Sequence, residues 1–309
     1  MSLLKLVRFP NLLIVTLTQF LLFELIRRQF EQFDIALQLD LRHFSYLVLV
    51  TVIITASGYI VNDILDLKID QINKPKQVVI GKMMNLSTAY WLYFSFFLVG
   101  FILSLYLAAY VNRLYLLSIY PAAFLGLFLY SKVFKRLPLI GNLLVSLYCA
   151  GVGGILLVAE QTGIANLHQL QPQKGQYLLG ICYWYMLFAF LSTMFREIVK
   201  DIEDQEGDRM VACRTAPIQW GTQNAKWIAG FFGLLLLITV PIMSLQIPSI
   251  SNRSWTWVLI TLFILLPTAA GLFFLWKAQT KAQFHQLSQL AKFIMFTGIL
   301  FLTYILIIS

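Results

Sequence analysis

Apolar residues gather along this chain into long runs separated by short polar stretches, and the alternation repeats nine times. A hydrocarbon core about 30 Å thick needs roughly 20 consecutive apolar residues in a helix. The runs near 11–28, 44–62, 87–109, 114–130, 139–158, 177–195, 225–246, 255–276 and 291–308 approach or meet that length. The pattern predicts an all-α polytopic membrane protein with about nine transmembrane helices, organised as one membrane domain over residues 1–309. Lys5 and Arg8 ahead of the first run imitate a signal peptide, but no small-residue cleavage site follows and Glu24 lies inside the run, so it reads as a retained helix. Trp91, Trp227, Trp255, Trp257 and Trp276 fall near the expected span ends, where an amphipathic ring suits the headgroup layer. The glycines of Gly151-Val152-Gly153-Gly154 are expected to let neighbouring helices approach closely.

Composition strengthens the membrane reading. Of the 309 residues, 59% are apolar and 12% are charged, against about 25% charged in soluble domains, and the mean hydropathy is +0.77. A soluble globule, a disordered chain and a coiled coil are excluded. The net charge is +9, from 23 basic and 14 acidic residues. With the N-terminus in the cytoplasm, six basic residues lie outside (Arg27, Arg28, Arg42, Arg113, Lys174, Arg253) and the other 17 lie in inner segments. That bias places the N-terminus inside and the C-terminus outside a cell (inner) membrane. No basic stripe on a soluble face suggests nucleic acid. Cys149, Cys182 and Cys213 are scattered, as are His43, His168 and His285, so neither a disulfide framework nor a histidine metal site is expected.

The acids are not scattered. Nine of the 14, counting Glu197, fall in two inner segments that follow the second and sixth runs. If the second helix continues, Asn62, Asp66 and Asp70 lie at i, i+4 and i+8 and share one face. Asp201, Asp204 and Asp208, at i, i+3 and i+7, do the same, and Glu197 extends the row by a turn. Asp63, Glu203 and Glu206 fall off these rows and read as solvated or supporting groups, while Gly207 weakens the helix by roughly 1 kcal/mol and predicts a bend. The two rows could face one another across a cavity at the cytoplasmic mouth. Like charges held close to hydrocarbon are costly and call for a cation. Oxygen-only donors favour Mg2+, which commonly bridges to phosphates. Lys74, Lys76, Lys132, Lys200, Arg209 and Arg214 then suit phosphate oxygens. Carboxylates, Mg2+ and cations together describe a diphosphate site.

At these residues the sequence resembles the UbiA superfamily of intramembrane prenyltransferases, which carry an N-D-x-x-D-x-x-x-D signature after the second helix and another aspartate-rich signature after the sixth. The likeness includes Arg8, Pro10 and Asn11, then Asn73-Lys74-Pro75, Tyr130-Ser131-Lys132, Lys135-Arg136, Gly141-Asn142 and Arg214-Thr215-Ala216-Pro217. The segment from Lys200 to Asp208 is most similar to geranylgeranylglycerol-phosphate geranylgeranyltransferases, and homogentisate prenyltransferases share much of it. The chain departs from the family where Lys76-Gln77-Val78-Val79-Ile80-Gly81 replaces an R-P-I-P-S-G-like stretch.

The resemblance implies a helical bundle with a central cavity open to the cytoplasmic side and to lipid. Asn62, Asp66 and Asp70 would bind one Mg2+–diphosphate unit and Asp201, Asp204 and Asp208 the other, the five aspartates being catalytic. Tyr130 and Ser131 would lie near the diphosphate or the acceptor, Asn11 would also contact substrate, and Lys132 and Arg214 would touch the diphosphate. The implied reaction passes a prenyl group, geranylgeranyl in the nearest subgroup, from its diphosphate to a prenylglycerol phosphate lipid or to an aromatic quinone precursor. A cation-coupled transporter is the competing class, and it predicts acids near the bilayer midplane and interrupted helices. A phosphatidyl-alcohol transferase would need a compact D-G-x-x-A-R-type signature, which is absent.

Overall fold

The computed structural model describes residues 2–73, 78–210 and 212–308. Among the described residues nine helical segments are long and apolar enough to cross a bilayer. They are α1 (Phe9–Glu31), α2 (Leu41–Leu65), α3 (Leu86–Tyr110), α4 (Leu114–Arg136), α5 (Ile140–Ala159), α6 (Pro172–Met210), α7 (Thr222–Gln246), α8 (Ser254–Lys277) and α9 (Lys281–Ile308). The nine expected spans are all present among the described residues, and two extend far beyond their apolar runs. Helix α6 runs for 39 residues and carries the whole second acidic row, while α9 begins at Lys281.

Helix Gln161–Leu170 is too short and polar to register as a span, yet it is amphipathic. It buries Ile164 and Leu167, and a Cβ on Gly163 would come 2.3 Å from the Phe30 ring. Local chemistry sets other boundaries. The Asp40 carboxylate caps α2 by accepting from the His43 backbone N–H at 2.8 Å. Helix α8 contains a π-helical turn at 261–265 just before Pro267. Proline offers no N–H to the carbonyl four residues earlier, and the freed Phe263 carbonyl instead accepts from Thr297 Oγ1 at 3.0 Å.

The contacts divide the chain into two compact units, residues 1–20 with 37–136 and residues 21–36 with 137–309. In the first, α2 packs against α3 and α4. Leu6, Leu12, Ile60, Ile64, Ile80 and Ala89 form its buried core. Phe97, Tyr120 and Phe124 stack between α3 and α4, with the Tyr120 hydroxyl donating to the Phe97 carbonyl at 3.0 Å.

In the second unit α6 is the hub, packed by α5, α7 and α9. Its core joins Phe195, Ile198, Val199 and Ile202 to Ala229, Leu275, Phe284, Leu287 and Ala291. The glycine expectation holds here: a Cβ on Gly153 would lie 2.9 Å from Leu22, and one on Gly154 3.0 Å from Met186, while Gly151 faces open space.

Candidate active site

The first acidic row forms where α2 ends. The helix breaks at Asp66 (φ −94°, ψ 4°) and resumes as Leu67–Asn73. The hydrogen bonds nevertheless continue in register: Asp66 N–H donates to Asn62 O, and Asp70 N–H to Asp66 O, both at 2.8 Å. The i, i+4, i+8 spacing survives the break, and Asn62, Asp66 and Asp70 remain in one row.

Two cations meet this segment. Lys135, on the 3-10 turn Phe134–Arg136 that ends α4, donates to Asn62 Oδ1 at 3.1 Å and forms an ion pair with Asp66. Both ion-pair side chains are 12% exposed, so the pair is largely withdrawn from solvent. Arg8 donates to Asp63 Oδ1 at 3.2 Å and lies over the Tyr59 ring, 4.6 Å from its centroid. The Arg8 backbone has φ of +50°, a left-handed conformation that costs about 1–2 kcal/mol outside glycine and is held between helix Ser2–Leu6 and α1. Burial disfavours its charge, but the nearby Asp63, Tyr59 and Asp70 outweigh that and hold the guanidinium above its ordinary pKa. Asn11 Nδ2 completes the group by donating to the Tyr59 hydroxyl at 3.0 Å.

The second row lies on α6. The weakening expected at Gly207 does not break the helix: Gly207 is buried and the helix passes through it to Met210. Tertiary contacts hold the segment. Asn142 on α5 donates to Asp201 Oδ2 at 2.8 Å, Thr222 on α7 donates to Gln205 Oε1 at 3.2 Å, and His285 Nδ1 on α9 lies 2.8 Å from Glu203 Oε1. Asp201, Asp204 and Asp208 are all half-buried, and Glu197, one turn earlier, is buried beside Arg196. The helix stops where Ala212 takes φ of +57° and Cys213 N–H returns to Asp208 O at 3.0 Å.

Other sequence-selected residues divide by environment. Tyr130 and Lys200 are half-buried and Ser131 is buried, whereas Arg214 is exposed. Lys132 is exposed, its ammonium 5.7 Å from the Phe128 centroid, while Lys135 is the lysine that meets the first row. Lys74 and Lys76 lie outside the described residues. Sequence reasoning did not assign site roles to Lys135, Asn142 and Tyr59. Lys135 and Asn142 sit in motifs it had noticed, while Tyr59 stands one helical turn before Asp63, a spacing that would have flagged it. Asp63 and Glu203 are supporting groups, not solvated ones.

Among the described residues no three His, Cys, Asp or Glu side chains stand together closely enough to hold a metal ion. The donor chemistry still suits a hard cation. An amide oxygen and a carboxylate converge on the Lys135 ammonium, which marks a position where all-oxygen donors accept positive charge, the preference of Mg2+.

Residues 35–300 match the family model described as the UbiA prenyltransferase family. A digeranylgeranylglyceryl phosphate synthase of Thermococcus gammatolerans is 34% identical over 62% of this chain and 63% of its own length, so the match spans less than two thirds of that relative. A solved structure described as giving insight into the biosynthesis of digeranylgeranylglyceryl phosphate synthase in membranes superposes with a TM-score of 0.64. It shares 25% identity and covers 97% of this chain and 96% of that one. A UbiA homologue from Archaeoglobus fulgidus, solved bound to DMAPP and Mg2+, has the same fold at a TM-score of 0.55. Its identity is 16%, over 97% of this chain and 99% of that one.

Proposed function

The chain belongs to the UbiA prenyltransferase family, and on that premise we propose that it is an enzyme passing a prenyl group from a prenyl diphosphate to a glycerol phosphate lipid. The observation that carries the proposal is the pair of aspartate rows, one at the end of α2 with Lys135 paired to Asp66 and one on the last turns of α6. The name of the Thermococcus relative supplies the substrates. A digeranylgeranylglyceryl phosphate is completed by adding a second geranylgeranyl group to a glycerol phosphate that carries one. The family relationship also supports reading residues 1–309 as one prenyltransferase domain of a multi-pass membrane protein. We place both rows on the cytoplasmic side and the C-terminus outside, as the 17 to 6 division of basic residues favours.

Asn62, Asp66 and Asp70 are assigned to one Mg2+, and Asp201, Asp204 and Asp208 to another. Mg2+, when bound, would offset diphosphate charge and so ease ionisation of the allylic C–O bond. The residues of the chain do the rest. Lys135 and Arg8 offer positive charge to diphosphate oxygens, and Asn142 holds Asp201 in one rotamer by its hydrogen bond. Positioned charge of this kind stabilises the departing diphosphate as it takes the bonding electron pair. The acceptor hydroxyl oxygen then forms the new bond to the allylic carbon, and its proton leaves to the diphosphate. Apolar helix faces keep water from that carbon.

The test uses membranes containing the full chain, labelled geranylgeranyl diphosphate, and separate glycerol phosphate lipid, homogentisate and hydroxybenzoate acceptors. Transfer should occur to the lipid, stop in excess chelator and be lost in both Asp66→Ala and Asp204→Ala. Turnover persisting in both variants would remove the two-row site. Transfer to an aromatic acceptor alone would reassign the substrate.

A further inference from the structure

Where α6 and α9 pack, their charged residues fall into a consistent register. Glu203 meets His285 at 2.8 Å, and further back along α6 Phe188 packs where a Cβ on Gly298 would be 2.1 Å from its ring. As α6 is followed backwards α9 is followed forwards, so the helices are antiparallel. Arg196, Lys200 and Glu203, at i, i+4 and i+7, share one face of α6. His285, Gln289 and Lys292, at i, i+4 and i+7, share one face of α9. The register sets Lys292 level with Arg196 and Lys200, and all three are electrostatic neighbours together with Glu197 and Glu203.

The carboxylates in this cluster are already engaged. Glu197 is held by Arg196 and Glu203 by His285. Among the described residues, neither Lys200 nor Lys292 has a carboxylate within ion-pair distance, and the buried Arg196 Nε has no hydrogen-bond partner. Three cations are therefore juxtaposed on two membrane-spanning helices, with a donor to spare at Arg196 Nε and an exposed Lys292, and Lys200 directly precedes Asp201. Such groups are expensive near hydrocarbon unless they meet an anion. A phosphomonoester fits: it has three acceptor oxygens, and Arg and Lys donors recognise it through charge-assisted hydrogen bonds.

We propose that Arg196, Lys200 and Lys292 form the binding site for the phosphate of the acceptor lipid, distinct from the aspartate rows assigned to the diphosphate. The assignment rests on the prenyl-transfer reading for its choice of lipid, and it moves Lys200 from the diphosphate to the acceptor. Lys292 thus becomes a specificity-determining residue, separating a glycerol phosphate lipid from an uncharged aromatic acceptor.

Equilibrium binding to the full chain in nanodiscs tests this without turnover. The probes are geranylgeranylglyceryl phosphate, phosphatidic acid, and geranylgeranyl thiolodiphosphate with Mg2+. Lys292→Gln should weaken geranylgeranylglyceryl phosphate about 10–100-fold, the loss expected for a charge-assisted contact, and leave the thiolodiphosphate affinity unchanged. Lys292→Arg should restore most of the lipid affinity, which a folding defect would not allow. An unchanged lipid affinity in Lys292→Gln, or an equal loss for both probes, overturns the site. Phosphatidic acid binding as tightly as geranylgeranylglyceryl phosphate overturns its assignment to the acceptor. Failure of the prenyl-transfer reading shows separately, as no thiolodiphosphate binding in the unaltered chain.

Discussion

Lys135 donates to Asn62 Oδ1 at 3.1 Å while forming an ion pair with Asp66, so one side chain engages two members of the first oxygen row. It acts there as a tethered counter-ion. A carboxylate this withdrawn from water is costly without a positive partner, and removing one member of a buried pair costs about 3–5 kcal/mol.

Lys135→Met is therefore expected to lower the thermal unfolding midpoint of the detergent-solubilised protein when Mg2+ is absent. Added Mg2+ should recover more stability in the variant than in the unaltered chain, because the ion takes over neutralisation of Asp66. Unfolding curves with and without Mg2+ check this. An equal Mg2+ response in both proteins would contradict the counter-ion role.

Asn142→Ala removes the amide that donates to Asp201 Oδ2. Groups that orient a metal-binding side chain typically contribute 10–100-fold to metal affinity or activity. The Mg2+ concentration giving half-maximal rate should rise by about that factor. Asn142→Asp should be worse, since it sets a second carboxylate against Asp201. A titration of rate against Mg2+ for the two variants decides the matter.

Arg8→Lys keeps the charge but loses the planar fork and the stacking over Tyr59. The Arg8 side chain is 41% exposed, so the pair with Asp63 should contribute less than about 1 kcal/mol to stability. Turnover should fall while the unfolding midpoint barely moves. A midpoint loss as large as that of Lys135→Met would show that Arg8 is chiefly structural.

Gly298→Ala brings a methyl group to 2.1 Å from Phe188 Cε1, and Phe188 is itself buried between helices. Overpacking of this kind costs about 1–3 kcal/mol. The substitution should lower the midpoint, and the added change Phe188→Leu should return part of the loss. Stability unchanged in Gly298→Ala would mean that α6 and α9 can separate freely at this level.

Much of the site is legible in the sequence alone. The spacing of Asn62, Asp66 and Asp70 makes a row on any α-helix, and the row survives the break at Asp66 because the four-residue hydrogen-bond ladder continues through it. Gly207 does not break the helix, since helix propensity is a local quantity and Asn142, Thr222 and His285 hold this segment from three other helices.

The chain by itself determined nine spans and two acidic rows, because hydrocarbon leaves a backbone no hydrogen-bond partner but itself and so turns each apolar run into a helix of known period. Only tertiary packing decided which charges meet. Lys135 rather than Lys132 reaches Asp66, although the two are three residues apart, because the turn at Phe134–Arg136 re-aims the chain at the end of α4. Asn142 finds Asp201 across 59 residues and His285 finds Glu203 across 82. Pairings at such separations depend on helix register and rotation, which no local pattern of residues encodes.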